Sequence, residues 1–367
     1  MLNKSFDINL NFFSTRSSRL LGVDISASSV KMIELSMTNK AENTLCLERY
    51  VIEPMPKEAI LDGNINDLKE VGDSLHRAWK RMETRVKNIA LALPAAAVIT
   101  KKIIMSVGQR EDDLVFQVET EANQYIPFTL DEVNLDFQVI RAIPENPNEV
   151  EVLIAAARKE KVEDRVAAAL TAGLKAVVID VEHFAAQTSF ELIERQLPGG
   201  GKDQVIALVD IGASTTRLNV LCNGEFVYTR NQPFGGAQLT QEIQNQFNLT
   251  YEEAEAAKRN GSLPNSYQTN VLQPFCETLA QEVKRALQFF FTSTQYTRID
   301  YIFLCGGCAT VPGLGEMMTE CTQVMTQIAN PFVNMELSNR IPLKQLKVDA
   351  PLLMTACGLA MRGFDPS

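Results

Sequence analysis

Residues 21–35 read LGVDISASSVKMIEL, and residues 207–221 read ALVDIGASTTRLNVL. Aligned on Asp24 and Asp210, the two stretches share Val, Asp, Ile, Ala, Ser and a final Leu, and Lys31 falls opposite Arg217. Each alternates apolar residues, crosses a run of small ones and alternates again, which predicts strand–turn–strand. A chain that repeats one element so far along its length is constrained to two related halves, each opening on the same hairpin. Its 367 residues, 46% of them apolar, suffice for two or three units with substantial cores.

The remaining patterns fill in those halves. TLCLERYVIE (44–53) suits a third strand. Residues 66–85 read as a helix with Asn66 as N-cap and Leu68, Val71, Leu75, Ala78 and Met82 as one apolar stripe. A strand–strand–strand–helix–strand order predicts a mixed sheet backed by helices. Residues 101–180 predict a unit of their own: strand KKIIMS, a helix ending before Pro127, strands EVNLDFQVI and NEVEVLIAAA, a helix stopped at Gly173, and strand KAVVID. A helix over 180–197 follows, then PGGGKD (198–203), the clearest linker. The second half opens at Val205, is mostly helical over 238–295, and returns to the apolar strand YIFLCGG (301–307) before a last helix–strand–helix run.

Several function classes are disfavoured. A net charge of −10 opposes general nucleic-acid binding, which rests on phosphate contacts, and broad adhesion to anionic lipid. No stretch reaches the ~18 apolar residues of a membrane span, and Phe6, Ile8, Leu10, Phe12 and Phe13 near the start are interrupted by Asn, Asp and Ser. Seven cysteines at irregular spacing fit a cytosolic protein with reduced thiols. GGGKDQ lacks the spacing of a P-loop. Cys305 and Cys308 form a Cys-x-x-Cys, but with only two histidines in the chain they read as buried cysteines flanking a glycine loop. His183, beside Glu182, reads as structural, and Phe289–Phe291 as core packing.

The repeated turn carries chemistry. In DIGAST a strand ends in Asp210 and small residues turn the chain. Such residues let backbone N–H groups approach an anion, and the hydroxyls add donors. The carboxylate repels phosphate directly but can hold Mg²⁺ through water. One turn alone reads as an ordinary hairpin; two facing each other would clamp a polyphosphate. LCGGCATVPGLGEMM (304–318) puts Gly306 and Gly307 after a strand and Pro312 before a helix, where a flat ring could lie on bare backbone. In NLTYEEAEAAKRNG (248–261), Thr250 and Glu253 make a capping box, and Glu255 and Lys258 share a helix face able to bond ribose hydroxyls. PFGGAQLT places Gly235 and Gly236 at a helix N-terminus, which favours anions.

These residues resemble the actin-like ATPase superfamily, which includes actin, chaperone ATPases, sugar kinases and the bacterial division protein FtsA. Asp24–Lys31 is similar to its first phosphate motif, Asp210–Arg217 to its second, and Leu304–Met318 to its adenosine motif. Asp180–Gln187 and Ala350–Met361 are similar to its connecting helices, and Glu255 with Lys258 to its adenosine-facing Glu-x-x-Lys. Within it, GVDISASSVKMIELS and the unit at 101–180, placed as in FtsA, resemble the PilM family of type IV pilus assembly proteins from about Arg19 to Arg362.

The resemblance implies an α/β, actin-like (ribonuclease H-like) two-lobed ATPase fold with an inserted β-α-β-β-α-β domain in the first lobe. It assigns 1–18 to a flexible tail, 19–100 and 181–199 to the first lobe, and 101–180 to partner docking. The second lobe takes 203–235 and 296–367, and a helical nucleotide-covering subdomain takes 236–295. ATP with Mg²⁺ is expected between the lobes. Gly22, Asp24, Ser26, Ser28, Ser29 and Lys31 would line the first turn, and Asp210, Gly212, Ser214, Thr215 and Thr216 the second. Gly235, Gly236, Glu255, Lys258, Gly306, Gly307 and Pro312 would complete the site, with Asp24 and Asp210 holding Mg²⁺ through water. Glu182 stands where relatives carry a water-positioning acid, and hydrolysis stays open.

The implied partner is the N-terminal cytoplasmic tail of PilN, a bitopic membrane protein, bound in a groove involving the extra domain. The chain would then link the pilus motor to the alignment complex, meeting other inner-membrane or motor proteins. It would be cytoplasmic and reach the inner face of the inner membrane only through partners; homo-oligomer formation stays open. Two departures stand out. The C-terminal GLAMRGFDPS is too short and mixed for the membrane helix that FtsA carries, and Ser26 replaces a glycine common among relatives. The alternative is a small-molecule kinase of the same superfamily, which needs a catalytic Asp that no strand end compels.

Overall fold

The computed structural model describes residues 19–39, 44–106, 111–143 and 146–365; the expected tail over 1–18 lies outside the described residues. The chain begins with β1 (Leu21–Ile25), β2 (Ser29–Asn39) and β3 (Thr44–Pro54), then a small hairpin of β4 (Ile60–Leu61) and β5 (Asn64–Ile65). Next come α1 (Leu68–Met82), β6 (Asn88–Leu93), β7 (Val98–Ser106), α2 (Glu111–Ala122), β8 (Val133–Ile143) and β9 (Asn146–Arg158). They are followed by α3 (Lys159–Thr171), β10 (Lys175–Val181), α4 (Glu182–Glu194), β11 (Val205–Ile211), β12 (Thr216–Cys222) and β13 (Glu225–Gln232). After these stand α5 (Gly236–Phe247), α6 (Tyr251–Asn260), α7 (Gln273–Ser293), β14 (Tyr301–Cys305), α8 (Leu314–Thr322) and β15 (Thr326–Ile328). The described chain closes with β16 (Glu336–Leu337), α9 (Leu343–Asp349) and α10 (Met354–Met361). It folds as two compact units. Unit 1 runs to Ser189 and takes in Met335–Ile341 and the chain from Thr355; unit 2 is Phe190–Asn334 with Pro342–Met354.

Unit 1 is built on a six-stranded sheet of order β10-β6-β1-β2-β3-β16. β1, β2 and β3 pair antiparallel, while β6 joins β1, and β10 joins β6, in parallel. β1 is central and all five of its residues are buried, so LGVDI must be apolar toward both faces. On one face Leu21, Val23 and Ile25 pack with Val71, Leu75, Ala78 and Met82 of α1 and with Val162, Ala168 and Ala169 of α3. On the other, Leu20, Ala90 and Ala92 meet Ala185 of α4 and Leu359 of α10. Two glycines set that second packing distance. A Cβ on Gly22 would stand 2.0 Å from the Ala356 carbonyl oxygen, and one on Gly358 would stand 1.7 Å from that of Ala185.

The α1 stripe matches the expectation except that Leu68 is exposed. The cap is one residue later than predicted: the Asp67 side chain accepts from Glu70 N at 3.0 Å, while the Asn66 side-chain amide donates to the Glu58 carbonyl at 3.0 Å. The unit expected over 101–180 divides. β7, α2, β8 and β9 form a three-stranded antiparallel sheet, order β7-β9-β8, with its own core of Ile103, Met105, Val118, Ala122, Val152 and Ile154. Its last helix and strand, α3 and β10, join the six-stranded sheet. The parallel pairing of β10 with β6 needs a helical crossover, and α3 supplies it.

Unit 2 repeats the plan with sheet order β13-β12-β11-β14-β15: an antiparallel meander, then two parallel additions. The repeated sequences fold alike down to register, since Asp24 pairs with Lys31 and Asp210 with Arg217. Val205, Ala207, Val209 and Ile211 pack on Leu239 and Ile243 of α5, the apolar stripe of α7, and Leu314 and Met318 of α8. Of the phenylalanine triplet on α7 only Phe290 is fully buried, stacked on Tyr296; Phe289 lies under the Arg230 guanidinium at 3.9 Å. PGGGKD is a turn in which Gly199, Gly200 and Gly201 all take positive φ, lying ahead of β11 and wholly inside unit 2. Among the described residues no helix is long and apolar enough to cross a membrane.

Candidate functional site

The first turn, in unit 1, joins β1 to β2. Ser26 N and Ser26 Oγ both donate to the Ser29 carbonyl, at 3.0 and 2.9 Å, which closes the turn. Asp24 and Lys31 face each other across the strand pair, both about nine-tenths buried, and Lys31 Nζ donates to Asp24 Oδ2 at 2.7 Å and to Ser26 Oγ at 3.0 Å. Burial makes that pairing necessary, because an unpaired charge there would be costly. Ser28 is exposed at the tip, and its carbonyl accepts from Met55 N at 3.0 Å. Ser29 is buried. Gly22 lies apart from the turn, pressed under α10, so its missing side chain serves helix packing. Glu182 opens α4, directly after β10.

The second turn, in unit 2, joins β11 to β12 and gathers three loops. Gly212 N donates to the Thr215 carbonyl at 2.9 Å, leaving Ser214 and Thr215 exposed at the tip. Thr216 is buried and spends its hydroxyl on the Phe234 carbonyl at 2.7 Å. The loop before α5 docks underneath: Gly236 N donates to the Gly212 carbonyl at 3.0 Å, and Ala237 N to that of Ala213 at 2.7 Å. A Cβ on Gly235 would lie 2.6 Å from the Gly212 oxygen. The loop after β14 arrives from the other side, with Cys308 N donating to the Ile211 carbonyl at 3.2 Å. Gly306 has φ +85° and sits against Asp210, where a Cβ would stand 2.4 Å from Oδ1. Gly307 and Pro312 are exposed, and nothing crowds Gly307. Burial pushes the Cys308 thiol up to about 11 and that of Cys305 up as well, so neither is poised for thiolate chemistry.

Beside these loops stands the pair predicted on α6. Thr250 and Glu253 form the expected capping box and Gly261 the C-cap. Lys258 Nζ donates to Glu255 Oε1 at 2.5 Å and to Thr240 Oγ1 at 2.7 Å, and the Thr240 hydroxyl also bonds the Glu255 carboxylate. Burial pushes the Glu255 carboxyl up, but hydrogen bonds from Lys258 and Thr240, with the charges of Lys258 and Arg259, outweigh it and hold the group below its usual range. The unit thus presents a fixed cation and anion on one partly open surface.

Sequence reasoning missed two residues. Thr240 lies one turn into α5 and is fully buried; a threonine four places after Gly236 was the available signal. Arg165 lies in the apolar stripe of α3, between Val162 and Ala168, where a cation breaks the pattern. Second-turn residues, Gly235, Gly236 and Gly306 come together in unit 2, as do Glu255 and Lys258; Asp24, Ser26, Ser29 and Lys31 come together in unit 1. Lys31 occupies Oδ2 of Asp24, and Asp210 lies in register with Arg217 across its own hairpin.

The family described as type IV pilus assembly protein PilM matches residues 22–364. The structure of a PilM-PilN type IV pilus biogenesis complex is similar over 96% of this chain and 100% of that one, at 29% identity and TM-score 0.79. The cell division protein FtsA of Bacillus subtilis (strain 168) is 23% identical over 357 residues, 85% of this chain and 78% of FtsA. An archaeal actin homolog, solved in complex with ADP, covers 93% of this chain and 98% of its own at 11% identity and TM-score 0.50. The fold is that of the actin-like ATPases.

Proposed function

Because the chain belongs to the PilM family of type IV pilus assembly proteins, we propose that it is a nucleotide-binding scaffold of the pilus machine, tethered to the inner membrane by the cytoplasmic tail of PilN. The observation that carries the nucleotide part is the convergence of the Gly235–Gly236 loop and the Gly306 loop on the second turn, with Gly306 against Asp210. Bare backbone and exposed hydroxyls at the tip suit phosphate oxygens. ATP is the nucleotide of choice, with the exposed tip of the second turn toward its phosphates and Glu255 and Lys258 toward its sugar. Mg²⁺, when bound, would neutralise phosphate charge, with Asp210 holding its water shell. Glu182 is a candidate acid, and a scaffold needs no turnover.

The partner reading rests on the PilM-PilN complex, whose PilM is similar along its whole length to this chain. The β7-β9-β8 sheet and α2 carry exposed apolar side chains, among them Ile104, Phe116 and Val139, which suit a peptide-docking surface. Nucleotide can alter that docking only by the difference in its affinity for the competent and incompetent states. The test is fluorescence anisotropy of a labelled peptide carrying the PilN tail, titrated with the full chain with and without Mg-ATP. Saturable binding whose affinity changes with nucleotide supports the proposal. No binding in either condition refutes the scaffold, and phosphorylation of a small alcohol would favour the kinase alternative.

A further inference from the structure

At the end of β1 away from the first turn, the sheet of unit 1 carries a notch. Leu21, the first residue of β1, pairs with Glu34 on one side and Ile89 on the other, and Glu34 pairs in turn with Arg49. β2 and β3 run on past the start of β1, as far as the pairing of Asn39 with Thr44. A cavity of about 550 Å³ lies there, lined by Arg19, Glu34, Arg49, Arg85 and Lys87, with Glu83 at the C-cap of α1. Four cations thus share the cavity with two carboxylates, an excess of two positive charges in a chain whose net charge is −10. Glu34 is 1% exposed and already neutralised: its Oε2 accepts from Arg49 Nη1 at 2.9 Å, and its Oε1 stands 3.8 Å from Arg19 Nη1. Arg49 gives Glu34 only that one donor, and its Nε is buried with no hydrogen-bond partner among the described residues. The carbonyl end of α1 attracts cations, but Lys80 and Arg81 already occupy its last turn. The surplus charge around the cavity therefore calls for an anion.

We propose that this cavity is a binding site for a small phosphate monoester. Such a group carries about −1.5 to −2 charges at pH 7, which matches the excess. Its terminal oxygens accept from guanidinium forks, which hold phosphate bidentately. Arg19, Arg49 and Arg85 supply the forks, and Lys87 adds a point charge. The volume falls within the roughly 300–1,000 Å³ of small-molecule sites, which leaves room for an organic body beside Thr84 and Val86. The cavity lies wholly within unit 1, and its ligand is independent of any nucleotide at the second turn.

Trp79, the one tryptophan of the chain, reports on the cavity: its Nε1 donates to the Val86 carbonyl at 2.8 Å, and Lys87 Nζ stands 5.6 Å from its ring centre. The experiment titrates the full chain with glycerol 3-phosphate at constant ionic strength and follows tryptophan emission, with glycerol and potassium chloride as controls. A saturable change with the ester and none with the controls is expected. Arg85→Gln combined with Lys87→Gln, both at exposed positions, should weaken binding about tenfold or more, the size of one lost charge-assisted hydrogen bond. A variant that binds within about threefold of wild type, or an equal response to glycerol alone, would overturn the proposal. If emission stays constant, isothermal titration with the same ester decides. Saturable heat that the double variant loses supports the site; no saturable heat, or heat that the variant keeps, overturns it.

Discussion

Replacing Gly22 by alanine separates packing from ligand contact at a position whose sequence context resembles a phosphate motif. The added Cβ would stand 2.0 Å from the Ala356 carbonyl oxygen, 2.3 Å from Ala360 N and 2.9 Å from Ala360 Cα. Relieving the shortest of these to ordinary contact requires β1 and α10 to part by roughly 1.4 Å. All three atoms are backbone, so no side chain can rotate out of the way. Overpacking typically costs about 1–3 kcal/mol, and an unyielding neighbour puts this case near ~3 kcal/mol. For a unit of about 200 residues that is a fall of roughly 6–12 °C in Tm. Calorimetry measures the shift, and hydrogen exchange should localise the weakening to β1 and α10. Nucleotide affinity measured well below the transition should change by less than about threefold. An unchanged Tm combined with a large loss of affinity would refute the reasoning and return Gly22 to the ligand.

Three further outcomes are expected. Asp180→Ala takes from Arg362 the carboxylate bonded to it at 2.6 Å, both side chains being 6% exposed, and leaves it Asp365 at 3.3 Å; calorimetric stability should fall by about 1.5–3 kcal/mol. The depressed carboxyl of Glu255 contributes stability that is present above its unfolded value and lost as pH falls through its folded one; acid titration of Tm should show a loss on the acidic side that Glu255→Gln removes. Thr240→Val keeps shape but takes the hydroxyl from Glu255 and Lys258, and thermal unfolding should register a loss of about 1–3 kcal/mol for the buried bonds it leaves unmade.

The repeat made much of the fold legible. VDI and the small residues after it require a buried strand and a tight turn, and both copies give them in one register. The α1 stripe and the Thr250 capping box were readable because both are local patterns. What was hidden depends on partners distant in sequence. KAVVID closes the inserted run in sequence but pairs with β6, a non-local choice that no local pattern encodes. Gly22 looks like part of a phosphate motif until α10, more than three hundred residues later, is found against it. Lys31 reads as a phosphate ligand, and only the folded hairpin shows that it also neutralises Asp24. Thr240 and Arg165 escaped because a hydroxyl or a guanidinium acquires meaning only from what surrounds it.

Isothermal titration of the full chain with Mg-ATP, in wild type and in Asp210→Asn, addresses the nucleotide claim most directly. One saturable site in wild type, weakened about tenfold in the variant while its Tm holds, is the expected result. Folded wild-type protein that releases no binding heat and gains no thermal stability from nucleotide, or a variant that binds as tightly as wild type, would contradict it.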